Sequence, residues 1–339
     1  MLQGHQSWVF SRRPMILSSS AIGGPFEAQG PLADDFDLLH GDLLLEQKSW
    51  EKAEKMLLDE ACAKAIEKAG LTKESINFFI CGDLMNQIIS SSFAARTLSA
   101  PYIGVFGACS TSMESLAIAA LLVDKQAAKY TLAATASHNA SAEKQYRYPT
   151  EYGAQKPPSA QWTVTASGAA IVAEGAEGDN TLHVTSATIG RIVDMGLTDP
   201  FNMGAAMAPA AYDTIESHFR DLQIPEDHYD LIVTGDLGKV GHSILLELFQ
   251  NHQLNISPDH YRDAGMMIYG DNPAVWSGGS GCGCSAAVTY GHLFQKMRKR
   301  AWKRILIVAT GALLSPISFQ QKESIPCIAH AVSIERSER

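Results

Sequence analysis

The sequence predicts an α/β fold made of two duplicated βαβαβ halves, with sheets and helices in layers. Three observations carry that expectation. Strand-like and amphipathic helical stretches alternate along the whole chain, the pattern of parallel strands joined through helices. "ESINFFICGDL" (74–84) returns as "DHYDLIVTGDL" (227–237), each ending in Gly-Asp-Leu. "ACSTSMESLAIAALLVDKQAAKYTLAATA" (108–136) pairs without a gap with "GCSAAVTYGHLFQKMRKRAWKRILIVATG" (283–311), which sets Cys109 opposite Cys284. A repeat this long marks a duplicated unit rather than short solenoid repeats. The expected division is 1–180, including a connection over 137–162, and 181–339. Ligands of such sheets bind at the carboxyl ends of strands, where loops of both halves meet.

The elements follow in order. Over 51–70, Ala53, Met56, Leu57, Ala61, Ala65 and Ile66 recur near helical spacing, and Gly70 supplies a common C-terminal stop. "INFFICGDL" (76–84) and "YIGVFGA" (102–108) read as buried strands. A helix runs from Ser110 to Val123, with Met113, Leu116, Ala117, Ala120 and Leu121 on one face. "YTLAATASH" (130–138) and "TVTASGAAIVAEG" (163–175) read as further strands, the latter with a counterpart in "IAHAVSIERS" (328–337). The stretch over 137–162 reads as a long polar connection, and Tyr146, Tyr148, Tyr152 and Trp162 argue against disorder there.

Bulk properties narrow the function. The chain has 339 residues, 46% hydrophobic and 19% charged, with a formal net charge of −9. An acidic chain without long basic tracts is a poor nucleic-acid binder, and "KMRKRAWKR" (296–304) reads as a solvated helix end. Six scattered cysteines form neither a disulfide framework nor a zinc pattern, so a reducing compartment is expected. No apolar run reaches the roughly 18 residues a membrane-spanning helix needs, and no signal peptide is legible at the N-terminus. Any membrane association would be peripheral.

Cys109 carries the chemistry. It stands between a strand and a helix, where backbone N–H groups and the helix dipole favour a thiolate or a bound anion. Gly107, Ala108 and Ser110 would let a ligand approach the backbone closely. A nucleophile needs a base, and His138, followed by Asn139 at a strand end, is the best local candidate. His242 and His330 are less well placed, and His292 reads as packing or surface. Asp83 and Asp236 end matching strands and serve either as caps or as site residues. The Gly-rich "WSGGSGCGCSAA" (276–287), with Ser280 and Cys284, offers backbone donors for an anion but lacks nucleotide-binding patterns. Lys144, Arg147 and Lys156 are able to pair with carboxylates, but as isolated charges they read as solvated.

These residues carry a resemblance. "GACSTS" before a helix, two βαβαβ halves, a late Gly-rich turn and "ATGALLSP" (309–316) before a final strand resemble the thiolase and ketoacyl-synthase superfamily. "KSWEKAE" (48–54), "GDLMNQ" (82–87), "FGACSTSMES" (106–115), "SHNASAEKQYRYPTEYGAQKP" (137–157), "DPFNMGAAMAPAA" (199–211) and "GGSGCGCSA" (278–286) are similar to one branch, the stage V sporulation protein AD family, over essentially the whole chain.

The resemblance implies a thiolase-like fold. It implies a role in moving dipicolinic acid (pyridine-2,6-dicarboxylate) into the developing spore. The protein would be made soluble in the cytoplasm and held peripherally at the spore inner membrane by membrane proteins of the same transport system. A homodimer and no nucleic-acid partner are expected. The superfamily's nucleophile motif carries over to Cys109. The second-half histidine does not, because "GDLGKVG" places Asp236 in that region. Cys109 is therefore expected to be a degenerate nucleophile, and Cys109, Ser110, His138, Asn139, Asp236, Ser280 and Cys284 to line a ligand pocket. No metal site and no cofactor are expected, with calcium entering only as a companion of dipicolinate. Two other readings stand beside this one: an active acyltransferase using Cys109, and a purely structural partner in a membrane complex.

Overall fold

The computed structural model describes residues 1–147, 155–176 and 178–338. Tyr148 and Tyr152 lie outside the described residues. A hairpin of β1 (Leu2–Gln3) and β2 (Ser7–Val9) leads into β3 (Met15–Gly23) and the short β4 (Leu38–Leu39). Then follow α1 (Trp50–Lys68), β5 (Phe78–Asp83), α2 (Ile89–Leu98), β6 (Tyr102–Gly104) and α3 (Thr111–Asp124). Next come β7 (Tyr130–Ser137), α4 (Asn139–Tyr146), β8 (Trp162–Thr163) and β9 (Ala166–Ala173).

The rest of the chain runs through β10 (Leu182–Ile189), α5 (Met203–Leu222), β11 (Leu231–Thr234), α6 (Gly238–Asn251), β12 (Tyr261–Asp263) and α7 (Ala264–Tyr269). It continues with β13 (Gly279–Ser280) and α8 (Cys282–Ala287), which passes through a π-helical turn (Val288–Leu293) into α9 (Phe294–Arg298). It closes with β14 (Arg304–Ala312), α10 (Pro316–Gln320) and β15 (Cys327–Arg336).

The main sheet has the order β12-β11-β14-β15-β10-β3-β9-β7-β5-β6. Reading inward from either edge gives the same pattern. Two parallel pairings (β6–β5–β7, β12–β11–β14) are followed by two antiparallel ones (β7–β9–β3, β14–β15–β10). The two sides meet through the single β3–β10 register pair Met15↔His183. One weak joint lets the sheet fold back on itself. Accordingly α3 packs against β5, β7 and β9 and also against β14 and β15, so it lies between the two sheet faces together with α8. Outer layers complete the fold: α1 covers β3, β7 and β9, while α5 covers β14 and β15. This is the layered α/β architecture the repeats predict.

Local chemistry explains the elements. In α1 the predicted Ala53, Leu57, Ala61, Ala65 and Ile66 are buried, Ser49 caps the N-terminus through Lys52 N–H, and Gly70 takes φ +65°. The strand expected over 102–108 stops at Gly104, because the backbone turns toward a left-handed Ala108, φ +50°. The connection over 137–162 is not simply a polar loop: it contains α4, whose N-cap is His138 and whose buried residues are only Asn139, Ser141 and Ala142. That helix is too polar and too short for its apolar period to be read from sequence.

Candidate functional site

Cys109 sits in a helical turn over Ala108–Ser110 between β6 and α3, and it is buried, 6% exposed. Several contacts fix the turn. Ser110 N and Ser110 Oγ both donate to the Gly107 carbonyl, at 3.0 and 2.6 Å, and Thr111 Oγ1 donates to Ala108 O at 2.7 Å. The turn packs directly on β14, where a Cβ at Gly311 would fall 2.1 Å from Gly107 O. Ala108 accepts a left-handed backbone, a strain of roughly 1–2 kcal/mol for a non-glycine residue. That strain points the neighbouring thiol into a cavity.

The cavity has a volume of about 530 Å³. Its floor is Ala108, Cys109, Thr163 and Ser280. One wall is Leu84 with Ala142, Gln145, Tyr146 and Arg147 of α4. The second half of the chain contributes Pro200, Phe201, Met203, Ala312, Leu314, Ser315, Pro316, Phe319 and Gln320. β8 and β13 pair in parallel, Trp162↔Gly279 and Thr163↔Ser280, and so bring the two halves together at the floor. Tyr146 Oη and Gln145 Nε2 both donate to Leu84 O, at 2.6 and 3.0 Å, which anchors α4 as a wall.

Asp236 replaces a base beside the thiol. It is fully buried; Oδ2 accepts from Gly281 N at 2.9 Å and Oδ1 from Thr310 Oγ1 at 2.8 Å. Burial raises its pKa to about 7. Burial first, and then the negative charge of Asp236, push the Cys109 thiol well above its ordinary value, while the Gly281 amide acts the other way. The result is a thiol held protonated against a carboxyl of raised pKa, the reverse of a thiolate–imidazolium pair.

The remaining expected residues spread out. Ser280 lines the cavity, 4% exposed. Ser110 is fully buried and spends its hydroxyl on Gly107. His138 serves the backbone: Nδ1 accepts from Ala140 N at 3.1 Å, Nε2 donates to Leu43 O at 2.8 Å, and the ring lies against Trp50. Both nitrogens are occupied and burial lowers its pKa, so it offers Cys109 no base. Asn139 donates through its side chain to Thr163 O at 3.3 Å, behind the floor. Cys284, fully buried, points its thiol at Gly235 O, 3.7 Å away, so it does not repeat the setting of Cys109. Instead Cys282 packs against Cys109 with Leu84 and Ala108.

The Gly-rich turn also differs from expectation. Its donors are already used, Gly281 N–H on Asp236 and Gly283 N–H on Ser137 Oγ at 3.2 Å, so they present no free anion cradle. Among the described residues the cation lining the cavity is Arg147, which reads from sequence as a solvated charge. It is held at the wall, 12% exposed, by Glu143, at 2.5 Å, and lies over Phe201, 5.5 Å to the ring centre. The i,i+4 spacing of Glu143 and Arg147 was the available signal. Lys144 is a surface partner of Glu51, at 2.6 Å and 55% exposed.

No described helix is long and apolar enough to cross a membrane. Among the described residues no group of three or more His, Cys, Asp or Glu is placed to hold a metal ion.

The comparisons with known proteins bear on the family and the fold. The model of the family described as Stage V sporulation protein AD (SpoVAD) matches residues 4–335. Stage V sporulation protein AD of Bacillus subtilis (strain 168) is 49% identical over 336 residues, covering 99% of this chain and 98% of that one. OleA of Xanthomonas campestris superposes with a TM-score of 0.63 at 14% identity, over 98% of this chain and 100% of that one. 3-Oxoacyl-[acyl-carrier-protein] synthase III of Aquifex aeolicus VF5 gives 0.59 at 13% identity, over 95% and 99%. Human mitochondrial 3-ketoacyl-CoA thiolase, solved in complex with CoA, gives 0.61 at 11%, over 98% and 100%. At such identities these structures speak for the fold alone, and that fold is thiolase-like. The match along nearly its whole length makes the chain a member of the stage V sporulation protein AD family, a sporulation protein on a thiolase-like fold.

Proposed function

We propose that this chain binds dipicolinic acid for its uptake into the developing spore, on a thiolase fold that has lost its acyl-transfer chemistry. The observation that carries the reading is a largely apolar cavity lined by an arginine, with a Cys109 thiol that burial and the Asp236 carboxyl hold protonated. Apolar lining residues such as Phe201, Met203 and Phe319 suit a pyridine ring, and a guanidinium suits a carboxylate, which it can grip through two N–H groups. His138 is spent on backbone groups, and burial with the adjacent Asp236 charge holds the Cys109 thiol protonated, so the thiolate that acyl transfer starts from is disfavoured. We further place the protein peripherally at the spore inner membrane, with membrane proteins of the same transport system as partners, and as a homodimer. Calcium enters only as the companion of dipicolinate.

Calorimetric titration of the purified protein with pyridine-2,6-dicarboxylate tests this. Saturable binding is expected, weakened at least tenfold by Arg147→Gln and abolished by Cys109→Trp, which fills the floor. No saturable binding, or equal binding by Cys109→Ala and Cys109→Trp, removes the assignment. The competing reading, an acyltransferase using Cys109, predicts a covalent acyl-enzyme. Intact-mass spectrometry after incubation with acyl-CoA donors is expected to show no adduct.

A further inference from the structure

One carboxylate oxygen serves two cations beside the cavity. Glu143 Oε1 accepts from Arg147 Nη1 at 2.5 Å and from Lys156 Nζ at 2.6 Å. The two cations differ in what they face. Arg147 lines the cavity. The Lys156 side chain is 1% exposed and does not line it. Its ammonium lies 4.9 Å from the Trp162 ring centre and 5.7 Å from that of Trp276, two indoles stacked on each other at 6.0 Å.

Burying an ammonium is costly unless it is paired, and among the described residues Glu143 is the carboxylate that pairs it. The indole faces add cation–π attraction but no neutralising charge. The triad thus carries two positive charges and one negative. If Glu143 had Arg147 as its one partner, the pair would be neutral and the cavity wall would offer a ligand little net field. With Lys156 behind it, Glu143 is already balanced, and the cavity-lining Arg147 brings a net positive charge to the triad of described residues. A second ligand carboxylate gains from that net charge even without touching Arg147, because charges as buried as Lys156, Glu143 and Arg147 are less screened than surface ones.

We propose that Lys156, which does not line the cavity, acts through Glu143 as the positioning residue that makes this site prefer doubly charged over singly charged aromatic carboxylates. The inference rests on the dipicolinate reading above.

Isothermal titrations with pyridine-2,6-dicarboxylate and pyridine-2-carboxylate test it. The wild type should bind the dicarboxylate about tenfold or more tightly than the monocarboxylate. Lys156→Met keeps an apolar stem between the indoles and should lose most of that ratio, with monocarboxylate affinity falling less than about threefold. Lys156→Arg should restore the ratio. Glu143→Gln removes the shared negative charge and should raise the ratio at least twofold; it decides the matter alone if Lys156→Met does not unfold cooperatively. A folded Lys156→Met with the wild-type ratio, or Glu143→Gln with a lowered one, overturns the inference and leaves the dipicolinate reading standing. Wild-type protein that binds neither probe overturns both.

Discussion

The Asp236 carboxyl lies against the Cys109 thiol, and burial together with that negative charge keeps the thiol protonated. A cysteine in a strand-to-helix turn invites the opposite reading, so its reactivity is the first thing to measure. Thiolate, not thiol, attacks alkylating reagents. Iodoacetamide at pH 7.5 is therefore expected to modify Cys109 at least tenfold more slowly than the same residue in urea-unfolded protein. Asp236→Asn removes the repelling charge and should accelerate the reaction. Peptide mapping of a time course checks this, and fast modification with a midpoint below pH 8 would restore Cys109 as a nucleophile.

Asp236 also ties stability to pH. Its folded-state pKa is raised to about 7, above the unfolded value, so the folded chain holds a proton the unfolded chain has released. Stability then falls as pH rises from about 4 to about 7 and stays lower beyond. Asp236→Asn keeps an acceptor for Gly281 N–H and removes the titration. It should be more stable than wild type at pH 8 by about 2–4 kcal/mol, and similar at pH 4. Glu114, also raised to about 7 by burial, is present in both proteins and cancels in the difference. Urea unfolding of the pair between pH 4 and 8 gives the comparison; parallel curves would contradict it.

The same carboxyl should make ligand binding proton-linked. A dianion at a floor containing Cys109, with Asp236 in contact behind it, favours the protonated form of Asp236. Affinity for pyridine-2,6-dicarboxylate is expected to fall about five- to tenfold from pH 6 to pH 8, with proton uptake on binding at pH 7.5. Asp236→Asn should flatten the profile. Calorimetry in two buffers of different ionisation enthalpy measures the uptake, and none at pH 7.5 in the wild type would contradict the linkage.

The fold was legible because its signals are local and repeated. The spacing of Ala53, Leu57, Ala61 and Ala65, and the echo of β5 in β11, need no long-range information. The candidate cavity was legible only where a motif stood in one segment: Cys109 with its small neighbours and Ser280 in the Gly-rich turn line it, whereas Asp236, expected to line it too, lies behind Cys109. His138 misled because a strand-end histidine looks the same from sequence whether it faces a cavity or caps the next helix. Here Leu43 O and Ala140 N, one of them 95 residues away, decide the matter. The i,i+4 spacing offers a local hint of the Glu143–Arg147 pair, but nothing local shows that Glu143 also binds Lys156, or that Trp162 and Trp276 close over Lys156. Phe201 and Phe319 reach the cavity across the two halves of the chain, a proximity created by the folded-back sheet.

His138 is expected to behave as a cap. His138→Ala leaves the N-terminus of α4 without its side-chain acceptor and Leu43 O without a donor, at a cost of about 1–2 kcal/mol. His138→Asn retains an N-cap acceptor and should recover about half of that loss. Since α4 carries Tyr146 and Arg147, His138→Ala should also weaken ligand binding a few-fold. Thermal unfolding with parallel titrations separates the roles: a stable His138→Asn that abolishes binding would make His138 a ligand contact.

The packing of the Cys109 turn on β14 gives the sharpest steric test. A Cβ at Gly311 would lie 2.1 Å from Gly107 O and 3.1 Å from Ser110 N, backbone atoms that no side-chain rotation can move away. Gly311→Ala must therefore push the turn off the strand, at about 2–4 kcal/mol, the upper range for overpacking against rigid neighbours. Displacing the turn loosens the contact of Cys109 with Asp236 and the Gly281 amide, so alkylation of Cys109 should become faster as stability falls. Gly41 supplies the control: an added Cβ meets nothing within 4 Å, and its backbone is not left-handed. Gly41→Ala should stay within about 0.5 kcal/mol of wild type, as surface changes usually do. Equal stability of the two variants would mean that β14 does not hold the Cys109 turn in place.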